Sequence, residues 1–137
     1  MPDISLALDT PDLAALYERA SADRQFKAGH ALVAELDIGA GARVLDIGCG
    51  TGLLAEYVAH LIGPAGSVVG IDPLPLRIEV AGRKARGNLS FQVGDANDLG
   101  AFAAASFDIV YLNAVFHWLP DKSGALGEIA RVLKSRG

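Results

Sequence analysis

Residues 44–54 read Val-Leu-Asp-Ile-Gly-Cys-Gly-Thr-Gly-Leu-Leu, and in the middle of this stretch a mainly apolar run gives way to a glycine-rich one. The short apolar run at its start is typical of a buried parallel strand. Gly48, Gly50 and Gly52 follow as a glycine-rich turn, and the apolar residues after them recur at helical spacing. The stretch therefore predicts a strand, a tight loop and a helix. Because ligands of open α/β sheets bind beyond the carboxyl ends of the strands, we expect a binding site at this loop.

The composition of the chain narrows the classes of protein to which it can belong. Its 137 residues fit one domain, and half of them are hydrophobic, which is average for a globular protein. A net charge of −4 with scattered basic residues argues against nucleic acid as a partner. No apolar run reaches the length of about 18 residues that a membrane span needs, and no secretory signal opens the chain. The single cysteine, Cys49, suits the reducing cytoplasm, where we expect the protein to reside.

Strands and helices alternate along most of the chain. Residues 1–10 predict a loose arm, and residues 11–137 a single domain that starts with one or two helices reaching to about Leu36. The pattern predicts strands at 43–47, 67–72, 88–93 and 107–112, and helices at 51–62, 75–86 and from Asp121 onward. In the last helix we expect one apolar face, formed by Leu126, Ile129, Ala130 and Leu133.

This alternation predicts an α/β fold, a Rossmann-like doubly wound parallel sheet with helices on both faces. Right-handed crossovers favour the strand order 3-2-1-4. Asp46, Asp72, Asp95 and Asn113 then lie at or near the carboxyl ends of successive strands. We therefore expect these four polar side chains to converge on one crevice.

The residue types in this crevice separate the ligand classes that such sheets bind. The loop lacks the lysine of a nucleoside-triphosphate loop, and Leu53 stands where a dinucleotide fingerprint needs its third glycine. Asp46 would repel a pyrophosphate and attract a positively charged group. Asp72, at the end of the second strand, is placed to accept hydrogen bonds from ribose hydroxyls. A ribose together with a cationic group describes S-adenosylmethionine better than NAD.

The same residues carry a resemblance to a known family. Residues 45–52, Leu-Asp-Ile-Gly-Cys-Gly-Thr-Gly, resemble the first motif of class I S-adenosylmethionine-dependent methyltransferases. Gly70-Ile71-Asp72 resembles the second motif and Gly94-Asp95-Ala96 the acidic motif on the adenine side. Residues 107–113 and 116–119 are similar to the fourth strand and following loop of the small-molecule branch. The likeness extends from about residue 13 to residue 137.

The resemblance implies a set of residues around the cofactor: Tyr17, Phe26, Asp46, Gly48, Cys49, Gly50, Gly52, Asp72, Pro73, Leu74, Asp95, Ala96 and Asn113. It implies that the glycine loop receives the methionyl portion, with Asp46 near the amino group. It also implies that Asp72 binds the ribose, that Pro73 and Leu74 lie along the adenine, and that Asp95 accepts from the adenine amino group. Tyr17 and Phe26 are expected to close over the cofactor or to belong to the core.

The reaction that the resemblance implies is in-line attack by an O, N, S or C atom of a small molecule on the sulfonium methyl group. Asn113 and His117 would border that methyl group, and His117 is the candidate base because its ordinary pKa suits proton abstraction. A packing role for His117 beside Trp118 is the competing interpretation. Cys49 is interpreted as a small filler within the loop. The histidines and the cysteine show no metal-ligand spacing, so we predict no metal site.

The chain departs from the family pattern at its last residues. Ser135-Arg136-Gly137 stands where family members turn into a fifth strand, so we expect the domain to lack the C-terminal strands of the family and to be incomplete. The fourth strand would then be an exposed apolar edge. We expect either a fragment of a longer protein or a second copy that covers this edge. Two other functions stay open, a non-catalytic cofactor-binding or interaction module and an NAD-dependent oxidoreductase.

Overall fold

A computed structural model of the chain describes residues 27, 31, 33, 34, 38–112 and 121–134. Its elements, in chain order, are β1 (Arg43–Ile47), α1 (Leu53–Ile62), β2 (Ser67–Asp72), α2 (Pro75–Gly82), β3 (Leu89–Val93), β4 (Ile109–Leu112) and α3 (Lys122–Val132). The strands of this part of the chain pair in parallel in the order β3-β2-β1-β4. The predicted fold class and strand order are confirmed. The predicted N-terminal arm and most of the predicted N-terminal helices lie outside the described residues.

The sheet is covered on both faces because of the order in which the chain builds it. The chain runs from β1 to β2 to β3 in one direction, so right-handed crossovers place α1 and α2 on the same face. It then returns past β1 to β4, and α3 packs on the opposite face. One core cluster joins α1 to Val44, Val68, Leu89 and Tyr111, and the other joins α3 to Leu45, Ile47, Ile71 and Phe107. Neither α1, α2 nor α3 has both the length and the apolar character that crossing a membrane requires.

Local hydrogen bonds explain why the second helix ends earlier, and the third strand begins later, than the sequence predicts. The second helix ends at Gly82 and not at Arg86, because the backbone groups of Arg86 and Leu89 bond each other at 2.9 Å in both directions and form a turn. Strand β3 starts one residue later than predicted, at Leu89. The Asn88 side chain before it donates to the carbonyls of Ala59 at 2.8 Å and Gly63 at 3.0 Å. Asn88 thus binds two carbonyls at the C-terminal end of α1, and that of Ala59 also accepts from the Gly63 amide at 3.3 Å.

Two acids have structural roles near the last strand and the last helix. Strand β4 begins at Ile109 and not at 107, and Asp108 before it accepts from the Arg43 backbone amide at 2.8 Å and pairs with Lys134 at 3.0 Å. Asp121 caps α3 by accepting from the Gly124 amide at 2.9 Å.

The predicted apolar face of α3 is wrong in part. Leu126 is 54% exposed, and the buried positions of the helix are Ala125, Ile129 and Val132. These three positions are spaced by four and three residues, so they form one helical stripe, and Leu126 lies beside it. The predicted and observed faces share Ile129, which is why periodicity alone did not separate them.

On the α1 face, one register row crosses the whole sheet and combines very large and very small side chains. Phe91 of β3, Gly70 of β2, Asp46 of β1 and Tyr111 of β4 lie side by side. A Cβ at Gly70 would lie 2.7 Å from the Phe91 ring and 3.0 Å from the Cβ of Cys49. The Phe91 ring thus occupies the space that any larger residue at position 70 would need. This packing brings the ring against the glycine loop, since a Cβ at Gly52 would lie 2.8 Å from it.

We predict that Gly70→Ala lowers the free energy of unfolding by about 1–3 kcal/mol, because the added methyl group overpacks the contact with Phe91. Urea denaturation followed by circular dichroism measures the change. Gly94→Ala is the matched control, since its Cβ would come no closer than 3.5 Å to any atom. Adding Phe91→Leu should restore part of the loss in the Gly70→Ala background; strictly additive effects of the two substitutions would contradict the packing explanation.

Candidate functional site

The glycine loop after β1 is held in a conformation that only glycine adopts readily. Gly48, Gly50 and Gly52 have φ values of 75°, 57° and 87°, all in the left-handed region. The amides of Gly48 and Cys49 both donate to the Ile71 carbonyl of β2, at 2.8 and 2.9 Å. The loop is therefore held against the end of the neighbouring strand, and three of its residues carry no side chain.

Asp72, the last residue of β2, fastens the loop a second time. Its side chain is only 2% exposed. One carboxylate oxygen accepts from the Gly50 amide at 3.1 Å and the other from the Leu74 amide at 3.0 Å. The guanidinium of Arg77, in the first turn of α2, lies 3.8 Å from the carboxylate. Each carboxylate oxygen has two acceptor positions, so both keep capacity for a further donor.

Asp46 is a second buried acid on the same side of the sheet. It is 1% exposed, and its Oδ2 accepts from the Tyr111 hydroxyl at 2.8 Å. Its Oδ1 has no hydrogen-bond partner among the described residues. Burial raises the pKa of Asp46 to about 7; the Tyr111 hydrogen bond acts in the opposite direction, and the negative charge of Asp72 adds to the rise. The two acids together make this region attractive to a cation.

Cys49 lies between two loop glycines, and its environment keeps the thiol protonated. Burial raises the pKa of Cys49, and the charges of Asp46 and Asp72 raise it further. A thiol is a poor nucleophile in comparison with a thiolate. These surroundings support the interpretation of Cys49 as a space-filling residue of the loop.

The segment after β3 lies next to Asp72 because a backbone hydrogen bond connects it to the end of β2. The Gly94 amide donates to the Asp72 carbonyl at 3.1 Å, which places Asp95 and Ala96 next to the end of β2. Asp95 is exposed and accepts from the Asn97 amide at 2.8 Å, whereas Ala96 is buried. A cavity of about 180 Å³ opens here, lined by Ile71, Gln92, Val93, Gly94, Asp95, Asp98, Ala101 and Phe102.

The structure brings together most of the residues that the sequence singled out. Asp46, the glycine loop, Asp72 and the segment Gly94–Ala96 are linked by the hydrogen bonds and charge interactions given above. Pro73 and Leu74, both exposed, follow directly on Asp72. Four predicted residues lie outside the described residues: Tyr17, Phe26, Asn113 and His117.

Sequence reasoning missed two residues that hold this site together. The sequence pattern marks Tyr111 only as a residue of the fourth strand, yet its hydroxyl donates to the buried acid of β1. Lys84 donates to the Thr51 carbonyl at 2.9 Å and so supports the glycine loop from the end of α2. Tyr111 had a signal, because it is the one polar group within the aliphatic strand of residues 109–112, as Asp46 is within residues 44–47. Lys84 had none, since its contact depends on how α2 packs.

In the described ranges, no group of three or more His, Cys, Asp and Glu side chains is arranged to hold a metal ion. The site is thus composed of glycine backbone, two buried carboxylates and a neighbouring cavity.

Comparison with curated proteins identifies relatives that share much of this chain. An arsenite methyltransferase of Aquipseudomonas alcaligenes is 35% identical over 137 aligned residues, which cover 93% of this chain and 38% of that protein. Aklanonic acid methyltransferase DauC of Streptomyces sp. (strain C5) is 40% identical over 125 residues, which cover 88% of this chain and 56% of the relative.

A similar protein is also found among solved structures. The crystal structure of an arsenic(III) S-adenosylmethionine methyltransferase from Chlamydomonas reinhardtii superposes with a TM-score of 0.64 at 38% identity. The superposition covers 69% of this chain and 36% of that one. The chain therefore spans only about a third to just over half of the length of the relatives that it matches.

The family comparison covers the glycine loop, both buried acids and everything after them. Residues 45–137 match the family described as methyltransferase domain, which is more than half of the chain. The cofactor of these enzymes is S-adenosylmethionine. On this match and on the identity to the curated relatives, the chain belongs to the S-adenosylmethionine-dependent methyltransferase family.

Proposed function

We propose that the protein of which this chain is the cofactor-binding core transfers a methyl group from S-adenosylmethionine to an O, N, S or C atom of a small molecule. The observation that carries this proposal is the Asp72 carboxylate, which is held at the end of β2 against the glycine loop by the Gly50 amide. The named activities of the relatives support the substrate class, since they include methylation of arsenite and of aklanonic acid.

The ribose of the cofactor needs acceptors for its two hydroxyl groups, and Asp72 can supply them. Both of its oxygens already accept one backbone amide, and each retains one acceptor position. Those amides also hold the carboxylate in one orientation before the ligand arrives, which lowers the entropic cost of binding. We therefore assign Asp72 to the ribose.

The amino-acid tail of the cofactor carries an ammonium group, and Asp46 fits it. A buried carboxylate oxygen without a partner is costly, and a cationic donor would satisfy it. Gly48 and Gly50 carry no side chain that would keep the tail away from the backbone. The residues of this site thus match both the sugar and the charged tail.

The adenine fits the surface on the other side of Asp72. Leu74 is 37% exposed immediately after the acid, so it offers apolar area to an aromatic ring. Asp95 is exposed at the edge of the neighbouring cavity and can accept from the exocyclic amino group. Asp95 and Ala96 are assigned to the adenine on this basis, with Pro73 and Leu74 along its face.

When bound, S-adenosylmethionine supplies a methyl group on a positively charged sulfur, which is an excellent leaving group. The work left to the protein is to hold the donor and to align an acceptor with it, and positioning of this kind supplies much of the rate. Asn113 and His117 remain the predicted residues on the acceptor side. A general base is needed only where the acceptor atom carries a proton of high pKa.

We predict that Asp72→Asn weakens the binding of S-adenosylhomocysteine by about 10- to 100-fold, because hydrogen bonds to a charged acceptor are lost. Isothermal titration calorimetry measures the affinity. Glu79→Gln is the control, since it removes a carboxylate from an exposed position of α2 and should leave the affinity unchanged. Equal affinities of Asp72→Asn and the unaltered protein, with both folded by circular dichroism, would remove Asp72 from the site.

A second titration separates cofactor classes. We expect heat of binding from S-adenosylhomocysteine and none from NADH, because Asp46 disfavours a pyrophosphate next to the loop. Binding of NADH with an affinity equal to that of the adenosyl ligand would instead support an oxidoreductase.

Turnover tests the transfer itself. With S-adenosylmethionine and a panel of acceptors that contains arsenite, phenols, carboxylic acids and thiols, we expect release of S-adenosylhomocysteine with at least one acceptor. Chromatography coupled to mass spectrometry detects both products. Tight cofactor binding with no turnover on any acceptor would favour a non-catalytic cofactor-binding module.

A further inference from the structure

The hydrogen bond between Tyr111 and Asp46 joins two polar side chains that are both buried in the sheet. Tyr111 is 3% exposed and Asp46 is 1% exposed, and the two residues are register partners on neighbouring parallel strands. The hydroxyl donates to Oδ2 at 2.8 Å, and Oδ1 has no partner among the described residues. The bond therefore engages one carboxylate oxygen and leaves the other, which is also buried, without a partner among the described residues.

Packing alone does not explain this pair. The surrounding cluster is apolar, with Val44, Val58 and Val68 fully buried in it. A carboxyl group placed there costs desolvation energy that an aliphatic residue would avoid, and the unpartnered oxygen adds to the cost. A cationic ligand that donated to the unpartnered oxygen would offset this cost while the carboxylate is ionised.

We propose that Tyr111 is a positioning residue of the cofactor site, whose hydroxyl holds Oδ2 of Asp46 so that Oδ1 accepts the ammonium group of the cofactor's amino-acid tail. This inference rests on the proposed function. Tyr111 itself does not touch the cofactor in this arrangement, because its hydroxyl is occupied by the carboxylate. It acts by fixing the carboxylate and by favouring its charged form.

The surroundings of Asp46 make its charge state sensitive to pH near neutrality. Tyr111 acts on it from β4 and Asp72 from the end of β2, and Arg77 of α2 reaches Asp72 at 3.8 Å. The thiol of Cys49 stays protonated beside both acids. The buried residues that α1 packs against this cluster are apolar. Since only the ionised carboxylate attracts an ammonium group, cofactor affinity should rise with pH up to about 7 and then level off.

We predict that Tyr111→Phe moves this rise to higher pH. Loss of the hydroxyl removes the hydrogen bond that favours the ionised carboxylate, so the midpoint should increase by about one pH unit and affinity near neutrality should fall by about 3- to 10-fold. Calorimetric titration with S-adenosylhomocysteine, from about pH 5.5 to about pH 8.5, measures both quantities. Tyr57→Phe is the matched control, because it removes the same atom from a tyrosine of α1 that packs on the same cluster.

A second ligand isolates the ammonium group. 5′-Methylthioadenosine keeps the adenine and the ribose but lacks the amino-acid tail, so its affinity should depend little on pH in every variant. A shift of the midpoint with S-adenosylhomocysteine and none with methylthioadenosine supports the inference. Superimposable profiles of Tyr111→Phe and the unaltered protein overturn it, and so does a uniform loss of affinity without a shift.

Two further measurements test the role of Tyr111 without relying on the affinity of Tyr111→Phe alone. If Tyr111→Phe does not fold, Asp46→Asn should remove the pH dependence with S-adenosylhomocysteine, and a retained dependence overturns the inference. The carbon-13 resonance of the Asp46 carboxyl group gives its titration midpoint without any ligand. An identical midpoint in Tyr111→Phe and in the unaltered protein also overturns the inference. Absence of adenosyl binding by the unaltered protein at every pH overturns the proposed function as well.

Discussion

The Asp72 carboxylate, bonded at once to the Gly50 and Leu74 amides, is the constraint on which the arrangement of the site depends. It joins the end of β2 to the loop that follows β1, and through Leu74 it sets the start of the segment leading to α2. The Ile71 carbonyl next to it accepts two further amides of the loop. Without these contacts the loop would populate several backbone conformations, because glycine has a large conformational freedom. A single buried acid thus shapes the loop, and each of its oxygens accepts one backbone amide.

The register row on the α1 face shows how the same region combines packing with electrostatics. Gly70 lacks a side chain, and the Phe91 ring fills the space against the loop. On the other side of Gly70, Asp46 and Tyr111 form the buried polar pair. Low dielectric around the pair strengthens their hydrogen bond and also makes the unpartnered oxygen more costly. The row is therefore closely packed around Gly70 and has an unpartnered carboxylate oxygen at Asp46.

The relatives share this chain although their names give different methyl acceptors. The two curated proteins described above are named for an inorganic acceptor and for an organic acid, yet both share most of this chain. The proposed donor site consists of glycine backbone, two buried acids and a cavity beside β3. An adenosyl amino acid is the common requirement of such different acceptors, which is consistent with a shared core that binds the donor.

The sequence by itself determined the strand order, the glycine loop and the acids at the strand ends. Hydrophobic runs and turn residues are local signals, and the handedness of crossovers then leaves few topologies. Only the tertiary structure decided that Leu126 is exposed on α3, that α2 stops at Gly82, and that Tyr111 bonds Asp46. These outcomes depend on which atoms meet across strands and between helices far apart in the chain. Periodicity cannot predict such contacts, because it describes one helix or strand at a time. Burial and hydrogen bonding depend on how different helices and strands pack together.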